Sequence, residues 1–175
     1  MKNITELPNV VYITSTVADG NMDPRFSAVE DALQNLESFL ERHGLASKDS
    51  TLMTVEHEER IVVVGSADKT GIVFPKDGIF AEALITNEKG ISLILTTADC
   101  LPIAFYDPVH HVVALAHLGW KPTTRKLSSK VIRKMTEEFQ SLPKDVLVSI
   151  GPAIHKNSYV FKDPIQKTMP EWVSF

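Results

Sequence analysis

One cysteine and six histidines carry most of the chemistry open to this 175-residue chain. Three of these residues fall by the ends of apolar runs: His57 soon after TLMTV, Cys100 after ISLILTTAD, and His117 at the close of VVALAH. Strand ends present side chains to a shared rim, where a thiolate and two neutral imidazoles suit zinc. Three protein ligands with one position open mark a catalytic rather than a structural site. The gaps between them are long, unlike the short paired spacings of zinc fingers. Spacing alone therefore leaves a second reading standing, with Cys100 a small packed hydrophobe, His57 a solvated loop residue and His117 a hydrogen-bonded core histidine. A lone cysteine makes no internal disulfide and fits a reactive thiol or metal ligand in a reducing compartment, so a cytoplasmic location is expected. One Cys and six His without His-X-His pairs cannot supply a multicopper centre.

The elements that must position these residues follow from pattern. Residues 10–15 (VVYITS), 51–55, 60–64, 83–86, 91–97, 102–106, 111–117 and 146–150 are β-branched or apolar runs that read as strands, the last of them buried. Residues 87–90 (NEKG) suit a hairpin turn, Asp107-Pro108 another, and 69–77, with Gly71 and Pro75, a loop. Pro24 suits a helix start; from Ala28 onward Val29, Ala32, Leu33, Leu36, Phe39 and Leu40 recur at helical spacing until Gly44. Leu127, Val131, Ile132, Met135, Phe139 and Leu142 form a second stripe, with Thr123 or Thr124 as its cap. The expected fold is α+β: a mixed, mainly antiparallel β-sheet with two long amphipathic helices. His43 lies near a helix end, His110 and His111 at an exposed hairpin, and His155 closer to the rim through Gly151-Pro152.

Composition narrows the function classes. The hydrophobic share of 43% and charged share of 23% are ordinary for a globular protein. The length fits a single domain over 1–175, with 162–175 a tail of no clear period. A net charge of −4 with no basic stripe argues against binding nucleic acid through its phosphates. Apolar stretches such as 112–116 are too short to span a bilayer. The start, MKNITELPNVVYITST, lacks the apolar core of a signal peptide.

TTADCLPIAFYDP (96–108), followed by VVALAHLGW (112–120), resembles the laccase-domain family. Its members, once described as polyphenol oxidases, are read as purine nucleoside phosphorylases with adenosine deaminase side activity. HEERIVVV (57–64), AEALITNEKGISL (81–93) and VSIGPAIHKNSYVF (148–161) resemble flanking segments of that family, so the likeness runs from about Val10 to Phe161. The resemblance implies a fold shared with cysteine hydrolases of the cytotoxic-necrotizing-factor type, and a zinc ion held by His57, Cys100 and His117. It implies purine nucleoside and phosphate as substrates. In phosphorolysis, phosphate attacks the anomeric carbon of ribose; in deamination, zinc-activated water attacks C6 of adenine. Asp99 could then orient a ligand histidine, relay a proton or bind ribose, against its plainer reading as a turn residue. Lys121 would meet phosphate or else be a solvated lysine, and Trp120 would stack on a base or simply pack.

The chain departs from the family pattern in several places. Lys121 stands where Arg is usual, giving a point charge in place of a bidentate fork. Pro122 replaces a glycine and stiffens the loop. Asn157-Ser158 occupy a stretch where cysteines are common, and the sequence stops at Phe175 where members usually continue. Two other functions stay open: a metal-free hydrolase or deamidase with Cys100 as nucleophile and His117 as base, and a non-catalytic metal-binding relative. His57 separates the first from zinc chemistry, because a Cys/His pair has no need of it.

Overall fold

The computed structural model describes residues 4, 7–73, 75–160, 168 and 170. Among them the strands are β1 (Ser50–Thr54), β2 (Ile61–Val63), β3 (Ile79–Phe80), β4 (Ala83–Thr86), β5 (Ser92–Ile94), β6 (Leu101–Asp107), β7 (Val112–Leu118) and β8 (Leu147–Ile150). The helices are α1 (Val29–Arg42), the short α2 (Trp120–Thr124) and α3 (Leu127–Phe139). The class is α+β with two long helices, as the pattern predicts. Its strands divide into two sheets, one of five strands in the order β2-β4-β7-β6-β8 and one of three in the order β3-β1-β5. In the larger sheet only β2 and β4 run parallel; in the smaller both pairs do.

Period-2 alternation stacks these elements into four layers. On β4, Ala83 and Ile85 face α3, packing with its Leu127, Val131 and Met135, while Leu84 turns to the opposite face. There it meets Met53 of β1 and half-buried Leu93 of β5, so the two sheets lie face to face. Leu52 and Ile94, one residue out of phase, pack beneath Leu36, Phe39 and Leu40 of α1. Each such fully buried side chain contributes on the order of 2 kcal/mol. Gly44, at φ 70°, ends α1 as expected, and the Leu45 N–H returns to the Leu40 carbonyl at 2.9 Å.

Several local expectations are corrected. Residues 10–15 join no ladder; Val10 and Tyr12 pack on Ala104 and Tyr106, and Ile13 on the α1 cluster, so tertiary contact satisfies their β-branched and aromatic character without strand pairing. The NEKG turn forms, with Gly90 at φ 75°, yet β4 and β5 enter different sheets rather than pairing as a hairpin. α1 starts at Val29, well past Pro24. Thr123 and Thr124 do not cap α3: they lie inside α2 and their hydroxyls donate back to the Gly119 and Lys121 carbonyls. The residue before α3 is Lys126, at φ 58°. Leu142 is exposed, and β8 is an edge strand with Val148 and Ile150 exposed instead of buried. Of the 162–175 tail, all but Thr168 and Pro170 lie outside the described residues. No described helix is long and apolar enough to cross a membrane.

Candidate metal centre

Three loop-to-strand junctions meet at one end of the larger sheet. His57 sits in the turn between β1 and β2, Cys100 directly precedes β6, and His117 is the penultimate residue of β7, opposite Pro102. One donor atom from each comes within 4.8 Å of the others. The His57 and His117 rings stand edge-on, 5.1 Å apart and 89° to one another. The sequence's three scattered candidates therefore converge, with His57 and Cys100 partly exposed and His117 buried. Both His57 (φ 61°) and Asp99 (φ 73°) hold left-handed backbone, unusual for residues other than glycine, and each lies at or beside a donor.

The surroundings fit a cation. Two imidazoles and a thiol are a donor set suited to zinc. Gly119 leaves space against all three: a Cβ there would lie 3.3 Å from His57 Cδ2, 3.4 Å from Cys100 Sγ and 3.5 Å from His117 Cε1. His117 Nδ1 donates to Glu82 Oε2 at 2.6 Å, which turns its other nitrogen over to the cluster. Burial pulls the His117 proton affinity down, but Cys100 and Glu82 more than offset this and hold it up at about 9 in the metal-free chain. Burial, then the His117 charge, pushes His57 below the usual imidazole range. Burial would raise Glu82, yet its bonds from His117 and from the Glu56 and Glu58 amides keep it below the usual carboxylate range and ionised.

The remaining sequence candidates lie around this cluster. Asp99 is exposed at the rim beside Cys100, and its carbonyl accepts from Ile154 N–H at 2.9 Å. Lys121, on the first turn of α2, places its Nζ 5.7 Å from the Trp120 ring centroid, and its charge reaches His57. His155 is exposed and outside the three-donor group; so are His110 and His111, at the far end of the β6–β7 hairpin, and His43, against Phe39.

Sequence reasoning missed four neighbours. Glu82 was signalled by a carboxylate inside the apolar run AEALI, since a charge is buried there only when it is paired. Arg25 is gripped by Asp23 through its Nε and Nη2, and its charge reaches both Cys100 and His57. Tyr159, raised first by burial and then by the Cys100 charge, stands on the segment that folds back over the Cys100 turn. Gly119 follows β7 with ordinary φ, so its backbone gave no sign of its role, although it lies inside the VVALAHLGW motif.

Comparison with known proteins follows the geometry. The chain is 40% identical over 89 residues to purine nucleoside phosphorylase YlmD of Bacillus subtilis, covering 51% of this chain and 30% of that one. It is 28% identical over 132 residues to a purine nucleoside phosphorylase of Bacteroides thetaiotaomicron, covering 74% of this chain and 49% of that one. The crystal structure of YlmD from Geobacillus stearothermophilus superposes with a TM-score of 0.69 at 28% identity, over 71% of this chain and 47% of that one. The chain thus spans about half, or less, of the length of these relatives. Residues 17–174 match the family described as multi-copper polyphenol oxidoreductase laccase, a match running past Phe161 where the motif likeness ends, and the chain belongs to that family.

Proposed function

We propose that this chain carries the metal centre of a purine nucleoside phosphorylase, with His57, Cys100 and His117 holding one zinc ion. The observation that carries the reading is the convergence of a thiol and two imidazoles within 4.8 Å beside the opening left by Gly119. The names of the relatives supply the substrate class. A bound zinc ion would supply Lewis acidity to a substrate group or a water.

This chain's own residues do the rest. Lys121 and Arg25 draw phosphate to the rim by charge. Asp99, exposed and next to Cys100, accepts hydrogen bonds from ribose hydroxyls. Orienting a histidine, one of its possible roles, belongs to Glu82 instead. A phosphate oxygen bonds to the anomeric carbon as the bond to the purine nitrogen breaks, and the base leaves with its electron pair and takes up a proton. Adenosine deamination at C6, with water entering and ammonia leaving, is a second activity of the same residues. We take 1–175 as one working domain acting in the cytoplasm.

One observation favours a second reading. Glu82, His117 and Cys100 form a chain from carboxylate through imidazole to thiol, the arrangement of a cysteine hydrolase. Incubating zinc-loaded protein with inosine or adenosine plus phosphate, and following free base, ribose phosphate and ammonia, tests the first. Phosphate-dependent release of base that a chelator abolishes is the expected result. A fully loaded chain that releases no base removes the phosphorylase reading, and hydrolysis that survives chelation favours the metal-free one.

A further inference from the structure

Glu82 directly precedes β4, with buried alanines on either side, and it is 1% exposed. A carboxylate taken so far out of water is destabilising unless its lone pairs are filled. Here they are filled in a particular way. Oε1 accepts from the backbone N–H of Glu56 (2.7 Å) and of Glu58 (3.1 Å), the two residues flanking His57. Oε2 accepts from His117 Nδ1 at 2.6 Å. The backbone joins in, because the Glu82 carbonyl receives His117 N–H at 2.8 Å.

We infer that Glu82 is a positioning residue that presets two of the three metal donors at once, one through the backbone and one through the ring. Its Oε1 clamps the left-handed turn at His57, a conformation that costs about 1 kcal/mol in a non-glycine residue and persists only when held. Its Oε2 keeps a proton of His117 on Nδ1, so Nε2 is the nitrogen left to face the metal once its own proton is displaced. Together with the Cys100 thiolate, the carboxylate also balances the charge of a divalent cation. This inference rests on the assignment of His57, Cys100 and His117 as ligands and is independent of the nucleoside chemistry.

Glu82→Gln tests it. The variant keeps the shape and still accepts from the two amides, but its NH2 faces His117 Nδ1. That nitrogen must then accept, which moves the ring proton onto the nitrogen meant for the metal. Zinc and cobalt affinity, measured by competition with a chromophoric chelator, should fall 10- to 100-fold, the loss typical of such partners. The cobalt absorption spectrum should change, a readout that a loss of folding stability alone would not move. Glu82→Asp, which retains the charge but is too short for both contacts, should lie between. Affinity within twofold of wild type with an unchanged cobalt spectrum in Glu82→Gln overturns the inference. If that variant does not fold, proton NMR of the zinc-loaded wild type decides. A downfield, exchange-protected His117 Nδ1 proton is expected, and its absence overturns the proposal. A loaded chain that is inactive on nucleosides but loses metal on Glu82→Gln separates the two readings.

Discussion

Two histidine–carboxylate pairs sit at opposite ends of β7 and are built in opposite ways. At one end, His117 and Glu82 are 35 residues apart, and both side chains are almost fully buried, 3% and 1% exposed. At the other, His110 and Asp107 are three apart; the carboxylate is buried, but the imidazole is 37% exposed. Asp107 also accepts from the Val109 and His110 amides, at 2.8 and 3.3 Å, so it fastens its own turn. Glu82 instead reaches across the sheet and fastens the surroundings of two donors. A histidine–carboxylate pair thus closes a hairpin in one place and ties together the surroundings of the His57, Cys100 and His117 group in the other. What separates the two is where the second ring nitrogen goes.

The sharpest test of that contrast is removal of each histidine. His117→Ala should abolish stoichiometric zinc, as should Cys100→Ala and His57→Ala, since two remaining donors cannot close a site. His110→Ala should keep one equivalent. Elemental analysis after gel filtration reads all four. Full zinc retained by the first three would dissolve the ligand assignment and the contrast with it.

Next in size is the structural end. Asp107→Ala removes the acceptor shared by two amides and an imidazole and should cost about 2 kcal/mol in urea unfolding with zinc stoichiometry unchanged. Burial acts to raise the Asp107 carboxyl, but the nearby Ser141 hydroxyl together with bonds from His110 and the local amides holds it below its ordinary 3.8. A carboxyl depressed in the folded state contributes stability that is present above the unfolded value and lost as pH falls through the folded one. Unfolding midpoints measured from pH 6 down to pH 2 should therefore drop below about pH 4 in the wild type. Asp107→Asn should flatten that limb, and an unchanged acid limb would remove Asp107 as its source.

The same contrast explains what could be read from sequence. The Asp107-Pro108 turn is local chemistry, and the β6–β7 hairpin emerged where it was expected, from Asp107 paired with Val112. The two amphipathic stripes were equally plain, because burial of α1 and α3 repeats within each helix. His57, Cys100 and His117 could be placed at strand ends, and motif likeness joined them, but no local rule brings such distant residues together. Glu82 escaped for the same reason: its partners lie 24 to 35 residues away, although a carboxylate inside AEALI was a clue. Residues 10–15 and NEKG misled because propensity and turn chemistry specify local shape, not which strand lies alongside.

Gly119 offers a finer probe of the functional end. Its φ of −72° suits any residue, so Gly119→Ala strains no backbone. The added methyl instead meets all three donor residues at 3.3 to 3.5 Å. Only the approach to His57 Cδ2 is closer than ordinary contact, so the donors need give by a few tenths of an ångström, at a cost of no more than about 1 kcal/mol, a loss of zinc affinity of roughly fivefold or less. Unchanged affinity would mean that the opening at Gly119 plays no part in holding the ion.

The smallest effect should come from the exposed member of the structural pair. His110 donates to Asp107 from a ring more than a third open to water, so solvent screens the charge and replaces the bond once the ring is gone. Asp107 keeps both backbone donors in His110→Ala, and its burial stays compensated. The expected loss is no more than about 0.5 kcal/mol, against about 2 kcal/mol for Asp107→Ala. The double variant should then be no less stable than Asp107→Ala alone, because the imidazole acts only through the carboxylate. A His110→Ala loss as large as that of Asp107→Ala would mean the imidazole, not the amides, neutralises the buried charge, and the two ends of β7 would be more alike than their exposures suggest.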